Sequence, residues 1–213
     1  MELDELVGLF ATAIVAVDGR CPAYITRTGR EYRAGIGPYP ENKAMELVVA
    51  ELRATAGVTC GQFVPYPTSS RQKCDLWLGD PMEWVVEVKM GRFRGDNAKP
   101  DDTGIKDLIS PFRADRSALV DGLKLAESEF PARKAVLVYG FDDRERPLGD
   151  AIEALDVLLR QRVTIAALCE AALVGLRHPV FSSGRVVSWE IGGLRHGTTP
   201  TAETALSDSV VSG

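Results

Sequence analysis

The segment Lys134–Phe141, KAVLVYGF, constrains the fold of this chain more than any other. Its apolar residues fall on odd and even positions alike, so a strand built from it must bury both faces. Such a strand lies inside a sheet, commonly beside a parallel neighbour, and needs helices above and below it. The rest of the pattern supplies them. From Glu41 to Ala56, residues Met45, Val48, Val49 and Leu52 repeat at i, i+3, i+4 and i+7, and Gly57 supplies a stop. Further helices are expected over 2–17, 114–129 and 147–162, the last with Pro147 in its first turn. Extended segments are expected at Cys60–Tyr66, Cys74–Leu78 and Trp84–Met90, the last two joined as a hairpin around Gly79-Asp80-Pro81. A second hairpin, Leu173–Arg177 with Arg185–Ile191, flanks Ser182-Ser183-Gly184. The turn signal Asp18-Gly19 closes the first helix, residues up to 40 read as a loop or irregular hairpin, and 91–104 as a mobile loop. The expected class is α/β, a central mixed β-sheet flanked by helices. It forms one domain over 1–196, followed by a Thr/Ser/Ala-rich tail over 197–213 that has nothing to bury and is expected to be disordered.

With 213 residues, 45% of them hydrophobic and 26% charged, the chain can bury one substantial core. Its net charge of −5 offers nucleic acid no general attraction, so any phosphate-binding surface must be local. Cys21, Cys60, Cys74 and Cys169 lie far apart, which argues against a disulfide framework or a zinc site and points to a reducing, cytoplasmic setting. The apolar run Leu6–Val17 follows Glu2, Asp4 and Glu5, where a signal peptide needs positive charge. It is also too short to span a bilayer, so it is expected to face the core or a dimer partner, with no membrane involved.

Polar residues on apolar strands are costly, and two of the expected strands carry them. Asp75 lies within Cys74-Asp75-Leu76-Trp77-Leu78, and Glu87-Val88-Lys89 lies on the strand across the turn. Alternation puts Glu87 and Lys89 on one face and Val86, Val88 and Met90 on the other. Two carboxylates suit Mg²⁺, which can activate water and stabilise charge on a phosphate. A lysine beside them can orient the water or stabilise negative charge as an ammonium, or act as a base if its pKa is depressed; the sequence leaves these roles open. An ordinary solvated cross-strand ion pair would use the same residue types. A second acid-x-Lys triplet, Glu41-Asn42-Lys43, opens a helix with no acid on a preceding strand and lacks this context.

Asp75 on one strand, Glu87-Val88-Lys89 on the next and an acidic helix upstream resemble the PD-(D/E)XK nuclease superfamily. This is the fold of many restriction endonucleases, resolvases and repair nucleases. The resemblance covers residues 41–141, with Cys74 where the family motif has proline. It implies a restriction-endonuclease-like fold in which Asp75, Glu87 and the Val88 carbonyl bind Mg²⁺, Mn²⁺ is able to substitute, and Lys89 serves the water. It also implies a further glutamate on the preceding helix, for which Glu46, on the flank of the apolar stripe, is the first choice and Glu51 the second. The implied partner is DNA, and cutting two strands makes a homodimer plausible, with the first helix as a source of interface. Candidate phosphate contacts are Arg92, Arg94 and Lys99 past the site, Lys73 beside Gln72 before it, and Arg116 at the next helix. A separate basic stretch holds Arg20, Arg27, Arg30 and Arg33. The expected function is a Mg²⁺-dependent DNA endonuclease of restriction, defence or repair type. The alternative is a non-catalytic nucleic-acid-binding or regulatory protein on a nuclease fold, which has no reason to keep all three residues. An unrelated nucleotide hydrolase finds no P-loop, GxGxxG or GxSxG pattern to support it.

Overall fold

The computed structural model describes residues 1–195 except 27, 30, 56, 96, 144 and 146. Arg27, Arg30 and the expected tail over 197–213 therefore lie outside the described residues. In chain order the elements are α1 (Leu3–Arg20), β1 (Tyr24–Ile25), β2 (Glu31–Tyr32), α2 (Glu41–Thr55), β3 (Cys60–Tyr66), β4 (Ser69–Leu78) and β5 (Trp84–Gly91). They continue with α3 (Thr103–Ile109), a 3-10 turn over Arg113–Asp115, α4 (Ala118–Glu127), β6 (Arg133–Phe141), α5 (Leu148–Arg162), β7 (Val163–Val174) and β8 (Ser183–Leu194). Among the described residues, a six-stranded mixed sheet of order β3-β4-β5-β6-β8-β7 packs against the five helices, and β1 and β2 pair separately. No described helix is long and apolar enough to cross a membrane.

The apolar segment at 134–141 becomes β6, inside the sheet and parallel to β5. Its two faces serve two cores. Ala135, Leu137, Tyr139 and Phe141 join residues of α1 and α2, whereas Val136 and Val138 join residues of α3, α4 and α5. A parallel neighbour requires a crossover, and the chain between β5 and β6 provides it through α3 and α4. Gly122 lets α4 settle closely, since a Cβ there would stand 2.5 Å from Leu159 Cδ2 on α5.

The β4–β5 hairpin forms around Gly79 as expected, with Gly79 at φ +97°. Several boundaries differ from expectation. The first helix runs past the Asp18-Gly19 turn signal to Arg20, because Asp18 is buried and accepts the backbone N–H groups of Ile36 at 2.8 Å and Arg177 at 2.7 Å. The segment 91–104 folds back on itself through an Arg94–Pro100 bridge and leads into α3. The helix expected over 114–129 begins only at Ala118, since Arg116 is left-handed (φ 51°) and Ser117 caps the helix by accepting from Val120 N at 3.2 Å. The last hairpin is longer than expected, because β7 starts directly after α5 and carries alternating exposure along its length.

The outer hairpin changes sides partway along. Cys60, Leu76 and Leu78 lie in the core beneath α1 and α2, but Val64, Tyr66 and Cys74 pack with the α3–α5 core. The switch coincides with Phe63, a non-glycine residue at φ 64°. Beyond Leu76↔Val86 the register of β4 with β5 ends, and the strands part.

Candidate active site

Parting strands leave backbone donors without a ladder partner. In an antiparallel pair a residue's N–H and C=O point to the same side, so Val88 and Met90, two and four residues beyond Val86, turn theirs toward the gap left by β4. Two carboxylates fill it. Asp75 Oδ2 accepts from Val88 N at 2.9 Å, and Glu41 Oε2 accepts from Met90 N at 2.6 Å. The Val88 carbonyl leaves the strand on the same edge.

Glu87 and Lys89 project from the opposite pleat toward α4, whose Asp121 and Lys124 stand one helical turn apart. Lys124 Nζ lies 2.8 Å from both Glu87 Oε1 and Asp121 Oδ1, and Lys89 Nζ lies 3.1 Å from Asp121 Oδ2. Tyr66, carried over the site by the bent hairpin, donates from its hydroxyl to Glu87 Oε1 at 2.5 Å and packs its ring against Phe130. Lys124 Nζ sits 5.3 Å from the Tyr66 ring centroid. Glu87 is 2% exposed and Asp121 3%, which removes the solvated ion pair as a description of these residues.

The electrostatics follow from this burial. Glu87 is pushed up to about 7, first by burial and then by the Asp75 carboxylate, with which it shares a hydrogen bond; Lys124 works the other way. Burial raises Asp75, Glu41 and Asp121 as well, with Glu87 adding to the rise at Asp121. Burial alone would lower Lys89, but Asp121, Glu41 and Asp75 outweigh it and hold the ammonium charged. Of the roles that the sequence left open for this lysine, its surroundings favour charge stabilisation and water orientation over proton abstraction. Burial and Glu87 drive the Tyr66 hydroxyl up, so it remains a donor.

The four carboxylates, Asp75, Glu87, Asp121 and Glu41, face two ammonium groups, Lys89 and Lys124. With every group ionised, the cluster is short of two positive charges. Protons, a divalent cation or the basic side chains that line the cleft above can supply them. Asp75 and Glu87, hydrogen-bonded to each other, and the adjacent Val88 carbonyl are donors that suit a hard cation. This set is smaller than a three-side-chain cage, and among the described residues no group of three His, Cys, Asp or Glu side chains could hold a metal ion.

Asp75, Glu87, Lys89, Asp121 and Lys124 line a cleft of about 380 Å³ together with Arg71, Gln72, Lys73, Arg113 and Arg116, whereas Glu41 reaches the cluster at Met90 N without lining the cleft. Of the residues expected from sequence, Asp75, Glu87, Val88 and Lys89 thus meet at one place, with Lys73 and Arg116 at its rim. The others do not. Glu46 is exposed and paired with Lys43 at 2.7 Å, and Glu51 bonds Arg20 and Thr55. The helix acid that reaches the site is Glu41, because it is in phase with Met45 and Val48 on the inward stripe. Arg92 donates to the Gly37 carbonyl at 3.0 Å. Arg94 is committed to Asp143, Glu145 and the Ala98 carbonyl, and lines a different pocket. Lys99 is exposed and outside the cleft. Sequence reading also missed Asp121, Lys124, Tyr66 and Arg71. Asp121 had a legible signal, since it falls three residues after Ala118 and four before Leu125, inside the apolar stripe of α4. Comparison of the chain with protein-family models, curated proteins and solved structures finds no match.

Proposed function

We propose that this protein is a metal-dependent phosphodiester hydrolase of restriction-endonuclease-like fold, acting on DNA. The observation that carries the reading is the charge imbalance at the parting of β4 and β5. Asp75, Glu87 and Asp121 with Lys89 and Lys124 sit beneath a rim of Arg71, Lys73, Arg113 and Arg116, and Glu41 adds a fourth carboxylate at Met90 N. The floor suits a divalent cation and the rim a phosphate backbone. Asp75, Glu87 and the Val88 carbonyl would hold Mg²⁺ or Mn²⁺, which when bound supplies Lewis acidity toward a phosphoryl oxygen and acidifies a water. Lys89, kept as an ammonium by Asp121, orients water or meets negative charge developing on the phosphate. Lys124 holds Glu87 in place, and Tyr66 fixes the same oxygen from the other side.

Purified protein is expected to nick plasmid DNA with Mg²⁺ or Mn²⁺. Glu87→Ala and Lys89→Ala should each lower the rate by about 10²-fold or more, the scale of removing a group that stabilises transition-state charge. Equal rates in the wild type and both variants would place the chemistry elsewhere. One feature favours the alternative of a non-catalytic binding module: Glu87 Oε1 already receives both Tyr66 and Lys124. Calorimetric titration separates the two, since DNA binding with no cleavage under any divalent ion supports the module.

A further inference from the structure

The two edges of the sheet are treated very differently. On β3 the edge is guarded by Pro65 and by left-handed Phe63, devices that block pairing with another strand. At the other end β7 is twelve residues long, VTIAALCEAALV, with neither proline nor lysine. Among the described residues nothing pairs with its outer edge. Its single charge, Glu170, lies 3.8 Å from Arg185 of the same protomer. A long, nearly uncharged free edge is a template for another strand.

The neighbouring helix repeats the pattern. Between Leu6 and Val17 α1 has no charged residue even where it faces out, at Gly8, Thr12 and Val15. An ordinary exposed helix face is charged. Gly8, Thr12, Val15 and Ala16 of α1 meet Ala171 and Ala172 of β7 around one shallow apolar hollow, so edge and helix form a continuous strip. Val15 at 39% exposure stands open on the α1 side of it, while Leu168 at 43% and Val174 at 68% stand open on the other face of β7, since Ala167, Cys169, Ala171 and Leu173 are the residues turned toward α1.

We propose that a second copy of this chain covers this strip. The β7 strands pair antiparallel about a two-fold axis and the α1 helices meet across it. Antiparallel pairing of a strand with its own copy is isologous, so every donor on the edge finds an acceptor without a second sequence being required. The registers that overlap most are centred on Leu168 or Cys169, and neither sets Glu170 opposite its own copy. The strip is about 30 Å long and about 20 Å wide, roughly 600 Å² from each protomer, against about 800 Å² per partner in a stable complex. The proposal is independent of the nuclease reading, because β7 lies three strands from β5 and the cleft stays open.

Sedimentation of the full chain tests it. The wild type is expected to behave as a dimer of 23.1 kDa protomers. Leu168→Lys and Val15→Glu, at exposed positions, should each weaken dimerisation by about tenfold or more through charge in a desolvated strip, with no change in circular dichroism. Hydrogen exchange should show the outward amides of β7 protected in the wild type and released in the variants. A wild type that stays monomeric up to about 100 μM would overturn the proposal, as that range exceeds the dissociation constants of specific interfaces. So would a dimer indifferent to both substitutions, or a monomer with a protected β7, which would mean that this chain covers its own edge.

Discussion

Under the proposed hydrolase function, Glu87 is the residue at which stability and chemistry oppose each other. Its carboxylate is buried beside Asp75 and still titrates only near 7, so at alkaline pH the folded protein carries a charge that the unfolded chain would hold in water at no such cost. Glu87→Gln keeps the shape and the Tyr66 contact but removes the charge. In chelator at pH 8 this variant is expected to unfold at higher denaturant than the wild type, by about 1–3 kcal/mol, while losing catalysis. Urea titration at pH 8 and pH 5 checks it, since at pH 5 the two proteins should converge. A variant less stable than the wild type at pH 8 would mean that Lys124 and Tyr66 already compensate the charge in full. The same residue shows what a sequence can reveal. Asp75, Glu87 and Lys89 stood out because each interrupts an apolar strand. Glu41 and Asp121 interrupt apolar stripes too, but on helices, where an acid near the first turn also reads as a partner of the helix dipole. Tyr66 and Lys124 carry no such signal, because only the bend of a hairpin and the seating of a helix bring them to Glu87.

At the level of elements, α4 positions half of the site, and its start depends on one hydroxyl. Ser117 Oγ accepts from Val120 N and donates to the buried carbonyl of Ser110 at 2.5 Å, tying the helix to the end of α3. Ser117→Ala removes the cap and leaves that carbonyl unsatisfied, at an expected cost of about 1–3 kcal/mol. Chemical denaturation measures the loss, and a reduced affinity for Mg²⁺ should accompany it if α4 sets the positions of Asp121 and Lys124. A stability unchanged within about 0.5 kcal/mol would show that the Arg116 turn fixes the helix without its cap. Here the sequence was only partly legible. Periodicity found the helix, yet placed its start four residues early, because a left-handed arginine leaves no mark in the apolar pattern. It likewise found the last hairpin but not the length of β7, whose small alternating residues suit an edge that a partner can cover.

For the molecule as a whole, the site makes folding sensitive to pH in a direction opposite to that of a salt-bridged carboxylate. Unfolded, Glu87 loses its proton near 4.5; folded, it keeps it to about 7. Between those values the folded state binds more protons, so stability falls as pH rises, by on the order of 3 kcal/mol for this group. Asp75, Glu41 and Asp121 are raised as well and act in the same direction. The raised Lys89 contributes stability that is lost only at strongly alkaline pH, above this window. Asp115 and Asp156 are lowered, so what they contribute is lost in acid, below it. Melting temperature in chelator is therefore expected to drop from pH 5 to pH 8, by roughly 5–10 °C for a chain of this size. A divalent cation competes with the proton for the same oxygens, so Mg²⁺ should raise the melting temperature strongly at pH 8 and little at pH 5, flattening the profile. Calorimetric scans at both pH values, with and without Mg²⁺, make the comparison without reference to any substrate. An equal Mg²⁺ effect at the two pH values, or none at either, would mean that the charge missing beneath the cleft is not supplied by a metal, and the hydrolase reading would lose its main support.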